Sequence, residues 1–222
     1  MDKQRFLERI KEALSAKPEK SVKETSIDSN RARLLSASMS EKEKIALFRE
    51  RAESSGSSVH VADTPAKLKA ILADLLPDKA CVAYACGERL GKRLGCPLSD
   101  LIPATCRRIS GEGMDIETLF GIDAALTGVD AAVAETGSII LSAARSHPRL
   151  ISLTAEKHIA LVGADQIVPD LLDWTQSAAS LDPPAVPEGF TLISGPSKTA
   201  DIELKLVTGV HGPSELHLVV FH

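Results

Sequence analysis

Phe6, Leu7, Ile10, Ala13 and Leu14 recur at helical spacing within Asp2–Ser15, so the chain opens on a predicted helix. A polar stretch rich in Lys, Ser and Glu follows, Ala16–Ser40, and reads as an extended connector. Ser40 with Glu43 forms a capping-box pattern for a second helix from Glu41 to about Glu53. Residues 1–57 are therefore expected to form a helical arm outside the main sheet. Such an arm is suited to packing on a second copy of the chain.

From Ser58 the apolar rhythm changes. Val59-His60-Val61 is a short strand pattern, and Asp63-Thr64-Pro65 supplies a cap and a first-turn proline for a helix to about Leu76. Lys79 to Ala85 has the continuous apolar run of a buried strand, and Glu88 to Leu94 that of a short helix. Strand–helix alternation of this kind predicts an α/β fold over residues 58–222, with a mainly parallel sheet flanked by helices. Further short apolar runs predict strands at Ala124–Leu126, Ala131–Ala134, Ser138–Leu141, Leu150–Leu153, Ile159–Val162, Phe190–Ile193 and Leu216–Phe221. Helices are expected from about Gln166 to Ser177 and again just after Ser197-Lys198-Thr199.

Composition narrows the function classes. The 222 residues are 44% hydrophobic and 25% charged, with a net charge of −4 and both signs scattered. No basic stripe is present, which argues against nucleic acid as a partner. Aromatic residues make up only 3%, so the core must come from Leu, Ile, Val and Ala. No apolar run approaches the roughly 20 residues a bilayer span needs. The charged opening MDKQRFLERIKEAL is unlike a secretory leader, and a cytoplasmic location is expected. Cys81, Cys86, Cys96 and Cys106 include no C-x-x-C pair, so reduced thiols are expected and neither metal nor cofactor in this chain.

Three loops carry candidate chemistry. Gly195-Pro196-Ser197-Lys198-Thr199 opens the last predicted helix, where free backbone N–H groups and the helix dipole would favour an anion and Lys198 would add a full positive charge. Gly195, Ser197, Lys198, Thr199 and Asp201 are the ligand-binding candidates there; an ordinary capped helix between two turns is the competing reading. The loop is no nucleotide-binding P-loop, because Ser197 stands where that motif needs a glycine directly before the lysine. No GxGxxG fingerprint follows a strand either. Glu135-Thr136-Gly137-Ser138 lies between two strand patterns, at the strand ends where open α/β sheets bind ligands. Glu135 is a candidate base or nucleophile, or else a carboxylate that anchors its turn. Thr136, Gly137 and Ser138 join it as binding candidates. Arg145 and Arg149 flank Ser146-His147-Pro148, and Arg145 is a candidate anion clamp. His158 and His211 are candidate proton carriers; His211, between glycines beside the Gly-Pro-Ser-Lys loop, is the stronger.

The segment ISGPSKTADIE followed by GVHGP resembles the C-terminal signature of the lactate-utilization protein C family, whose shared unit is the LUD domain. GVDAAVAETGS, RLIS and KHI stand in the order and spacing of that family, and together these blocks cover about the last hundred residues. The resemblance implies a fold like those of ribose-phosphate isomerases and CoA transferases. It also implies a component of L-lactate oxidation to pyruvate that works with partner proteins carrying iron–sulfur clusters. A small anionic ligand is expected between the Glu-Thr-Gly-Ser turn, the Gly-Pro-Ser-Lys loop and the Gly-Val-His-Gly-Pro turn. Two alternatives stay open at this point: an independent enzyme acting on a sugar phosphate or acyl-CoA, and a non-catalytic assembly subunit.

Overall fold

The computed structural model describes residues 39–85, 88–110, 115–142, 150–179, 189–200, 206–209 and 211–222, with the isolated positions Gln4, Glu8 and Lys11. The chain divides into two compact units, Met1–Leu34 and Leu35–His222. In the first, Gln4, Glu8 and Lys11 are helical, at three positions of the helix expected there.

The second unit begins with α1, Glu41–Ser54. Its start is local chemistry: the Ser40 hydroxyl accepts from the Glu43 amide while the Ser40 amide donates to the Glu43 carboxylate at 2.7 Å. The expectation that this helix lies outside the sheet is corrected. Phe48 and Ala52 are completely buried in a cluster with Val59, Ile139, Leu141, Leu218 and Val220. Ile45 and Leu47 also pack against this cluster, but an apolar stripe read along the sequence does not show which surface it will cover.

Six strands form the central sheet: β1 Ser58–Ala62, β2 Cys81–Ala85, β3 Arg107–Ser110, β4 Ala124–Gly128, β7 Lys157–Gly163 and β12 Glu215–Phe221. Their order is β1-β12-β7-β4-β2-β3, and every neighbouring pair is parallel. A parallel sheet is buried on both faces, which is why β4 and β7 read as near-continuous apolar runs. On one face Leu126, Ile159, Leu161, Val219 and Phe221 pack against Leu68, Leu72 and Leu75 of α2, Pro65–Leu75. α2 is capped by Thr64, whose hydroxyl accepts from the Lys67 amide at 3.2 Å, with Pro65 in the first turn. The short helix α3, Glu88–Leu94, contributes Leu90 to the same cluster. The other face carries α1 and a layer with Leu119 of α4, Ile116–Phe120, and Ile151 of α5, Ile151–Thr154.

A second sheet has the order β8-β5-β6-β9, from β5 Ala131–Val133, β6 Ser138–Ser142, β8 Ile167–Val168 and β9 Phe190–Ile193. β5 and β6 form an antiparallel hairpin, and β9 pairs antiparallel with β6.

Three further sequence expectations fail. The Leu150–Leu153 strand is helix α5: Leu150 and Leu153 are exposed while Ile151 and Ser152 are buried, a helical spacing that four residues disguise. The helix expected from Gln166 begins only at Leu171, as α6, Leu171–Ala179. Pro169 lacks the amide a continuous helix needs and biases the residues before it towards extended backbone, where β8 forms. The helix expected after Lys198 is a β-hairpin, β10 Lys198–Ala200 paired antiparallel with β11 Leu206–Thr208. Thr199 stands opposite Val207 in that pairing, and β-branched residues favour strands over helices.

Candidate functional site: a cleft beneath the Gly-Pro-Ser-Lys loop

Loss of that helix removes the dipole argument for an anion, so the site has to be rebuilt from contacts. The Gly-Pro-Ser-Lys loop and the Gly-Val-His-Gly-Pro turn are stitched together by backbone. The Ser197 amide donates to Pro213 O at 2.8 Å, and the Gly209 amide to Ser197 O at 3.1 Å. The His211 amide reaches the Ser197 hydroxyl at 3.4 Å. The Gly-Pro-Ser-Lys loop and the Gly-Val-His-Gly-Pro turn therefore form one wall.

That wall covers a cleft of about 320 Å³. Ser152 and Leu153 of α5, His158 of β7, Leu192 of β9, Leu216 of β12 and the loop from Ser194 to Lys198 are among its lining residues. The volume falls at the lower end of small-ligand sites. Leucine side chains make part of the lining apolar, while Ser194, Ser197, Lys198 and His211 supply polar atoms.

Ser138 and Gly137 tie the Glu-Thr-Gly-Ser turn to this wall from behind. The buried Ser138 hydroxyl pairs with the Ser194 hydroxyl at 2.6 Å. Gly137, with φ +65°, lies directly against the backbone of Arg51 and Ala52 in α1. Gly195 also lies close to the Ser55 carbonyl, and a Cβ there would stand 2.6 Å from its oxygen. The turn itself is the tip of the β5–β6 hairpin rather than the edge of the parallel sheet. Glu135 and Thr136 are exposed there, outside the cleft lining, with the Glu135 amide bonded to Pro169 O at 3.0 Å.

Lys198 has a structural partner. Its Nζ donates to the Ser55 carbonyl at 2.8 Å, at the C-terminal end of α1. Helices end in unsatisfied carbonyls and a partial negative charge, so a lysine here completes a cap. Lys198→Ala should accordingly cost ~0.5–1 kcal/mol of stability, the worth of a cation at a helix C-terminus. Urea titration of the two proteins checks this; equal midpoints would show that the contact contributes nothing. Thr199 lies on β10 at the register of Val207. Arg145, Arg149 and Asp201 lie outside the described residues.

Of the two histidines, His211 is exposed on the wall, and His158 is the one at the cleft floor. Its side chain is fully buried. Nε2 pairs with the Thr127 hydroxyl of β4 at 2.8 Å, and Nδ1 has no hydrogen-bond partner among the described residues. Burial pushes the imidazole down to about 4 from its ordinary value near 6.5, so it is neutral at physiological pH. Sequence reasoning ranked His158 below His211. The available signal was a lone histidine in the apolar run of β7 beside the one hydroxyl of β4, a polar pair inside two buried strands.

Cys81 and Cys106 are buried and unbridged, and Cys96 is half-buried; Cys86 lies outside the described residues. Among the described residues no three His, Cys, Asp or Glu side chains are grouped to hold a metal ion. No helix of the described residues is long and apolar enough to cross a membrane.

Comparison with known proteins bears on this arrangement. The profile of the LUD domain matches residues 45–221, a span that takes in α1 from Ile45 and both sheets. Lactate utilization protein C of an Exiguobacterium species is 40% identical over 102 residues, covering 45% of this chain and 44% of that protein. Lactate utilization protein C of Deinococcus radiodurans is 44% identical over 101 residues, covering 44% and 46%. The alignments thus span a little under half the length of these curated relatives. A crystal structure of a DUF162 family protein from Deinococcus radiodurans superposes with a TM-score of 0.62 at 25% identity, covering 83% of this chain and 100% of that one. The parallel sheet, its helical layers and the extent of the profile match lead to one conclusion: the chain belongs to the LUD domain family.

Proposed function

We propose that this protein serves lactate utilization as a component that binds a small organic acid in the cleft beneath the Gly-Pro-Ser-Lys loop. The observation that carries the reading is where the family blocks meet. Ser152, His158, the Ser194–Lys198 loop and the His211–Pro213 turn are far apart in sequence, yet all line one cleft. The relatives named lactate utilization protein C supply the substrate class. Lys198 gives one of its three N–H groups to Ser55 and keeps the others for a carboxylate at the rim. Redox chemistry would then fall to iron–sulfur partner proteins, with this chain holding or handing on the acid.

Deleting the gene should abolish or strongly slow growth on L-lactate and leave growth on pyruvate unchanged, because pyruvate enters after the proposed step. Growth curves on the two carbon sources, with complementation by the intact gene, check this. Normal growth on lactate in a host with no second lactate-oxidising route would refute the role. Affinity capture of the tagged protein should bring down iron–sulfur proteins, identified by visible absorbance and iron content.

A further inference from the structure

The cleft floor holds a polar group that the fold leaves unused. His158 is fully buried, and Thr127 satisfies Nε2, whereas Nδ1 faces no donor or acceptor among the described residues. Buried polar atoms are paired in the great majority of cases, and one left over at the wall of a cavity calls for a partner that arrives from outside. We propose that His158 is the recognition residue of the cleft, hydrogen-bonding through Nδ1 an uncharged oxygen, hydroxyl or carbonyl, on the carbon next to the carboxylate of a small organic acid. The inference rests on the cleft being the acid-binding site and adds which part of the acid is read, and by what.

The chemistry of the ring selects the oxygen. A histidine held neutral by burial offers one N–H and one lone pair, with no charge for a carboxylate. The Thr127 hydroxyl can donate to Nε2 or accept from it, so Nδ1 can present the N–H to a carbonyl or the lone pair to a hydroxyl. Both 2-oxo and 2-hydroxy acids therefore fit, and Thr127 keeps the ring from turning in either case. Leu153 and Leu216 offer apolar wall for the carbon skeleton, and Lys198 and His211 leave the charged end at the rim.

The test uses the purified full chain with L-lactate, pyruvate and propionate, the last having the same carboxylate and carbon count but no oxygen at the second carbon. Calorimetry should show L-lactate or pyruvate binding at least about ten-fold tighter than propionate, the usual worth of one hydrogen bond to an otherwise unpaired buried group. The assigned ¹⁵Nδ1 resonance of His158 should shift on saturation with the tighter ligand and stay in place with propionate. His158→Asn retains a polar atom near the Nδ1 position and His158→Gln one near Nε2. The asparagine variant should keep the preference and the glutamine variant lose it, with thermal melts confirming that both fold. Equal affinities in the wild type, binding of none of the three acids, an unmoved Nδ1 resonance, or a preference surviving in His158→Gln would each overturn the proposal. The wild-type measurements decide the matter should neither variant fold. A deletion strain unable to grow on lactate, combined with an unmoved Nδ1, would leave the metabolic role standing and remove His158 from it.

Discussion

Acidification from about pH 6.5 to about pH 4 should cost the protein up to about 3 kcal/mol through His158 alone. The sign follows from which state binds the proton. In the folded protein burial depresses the imidazole to about 4, so the ring stays neutral until the pH falls that far. In the unfolded chain it titrates near 6.5, so between these values only the unfolded state gains a proton and unfolding is favoured. Above pH 6.5 both states are neutral, and below about pH 4 both are charged, so the loss is confined to that window. Other carboxylates and histidines also titrate there, which makes the comparison with His158→Gln the informative one. Urea unfolding at pH 7.5 and pH 4.5 should show the stability gap between the two proteins narrowing by about 2–3 kcal/mol on acidification. A gap that does not change with pH would mean that His158 protonates alike in the folded and unfolded states.

Gly137→Ala should destabilise the protein by about 2–5 kcal/mol, from a left-handed backbone and a steric overlap acting together. The residue has φ +65°, which side-chain-bearing residues adopt at a cost. A methyl group there would also stand 2.5 Å from the carbonyl carbon of Arg51 and 2.6 Å from Ala52 Cα. Both are backbone atoms inside α1, so no rotamer change relieves the overlap; helix and hairpin must separate. Separation would pull Ser138 from Ser194 and loosen the wall over the cleft, so acid binding should fall along with stability. Gly91→Ala is the matched control. Gly91 lies within α3 with nothing inside 4 Å of an added methyl, so alanine there should be neutral or stabilise by up to ~1 kcal/mol. Denaturant midpoints of the three proteins separate the cases. A Gly137→Ala protein within about 0.5 kcal/mol of wild type would show that α1 and the hairpin do not approach this closely in solution.

The parts of this fold readable in the sequence are those whose cause is local or periodic. Ser40 with Glu43, and Thr64 with Pro65, act across three residues or fewer, and each helix starts where they place it. Strands β2, β4, β7 and β12 announce themselves because a parallel sheet covered on both faces needs apolar side chains in every direction. The blocks Glu-Thr-Gly-Ser, Gly-Pro-Ser-Lys and Gly-Val-His-Gly-Pro also stood out, since closely spaced glycine, proline and hydroxyl residues mark turns whatever surrounds them. Their roles were another matter. Lys198 suggested a helix N-terminus beside it, yet its partner is the carbonyl of Ser55, 143 residues earlier, at the C-terminal end of a different helix. Phe48 and Ala52 belong to the core only because two sheets close over them. His158 ranked below His211 until β4 placed Thr127 against one ring nitrogen and left the other facing nothing. Hydrophobic period and capping chemistry, which depend on neighbours along the chain, thus determined the elements. Tertiary structure alone decided which polar groups are satisfied, because a hydrogen bond or a dry surface is set by what lies next to it in space.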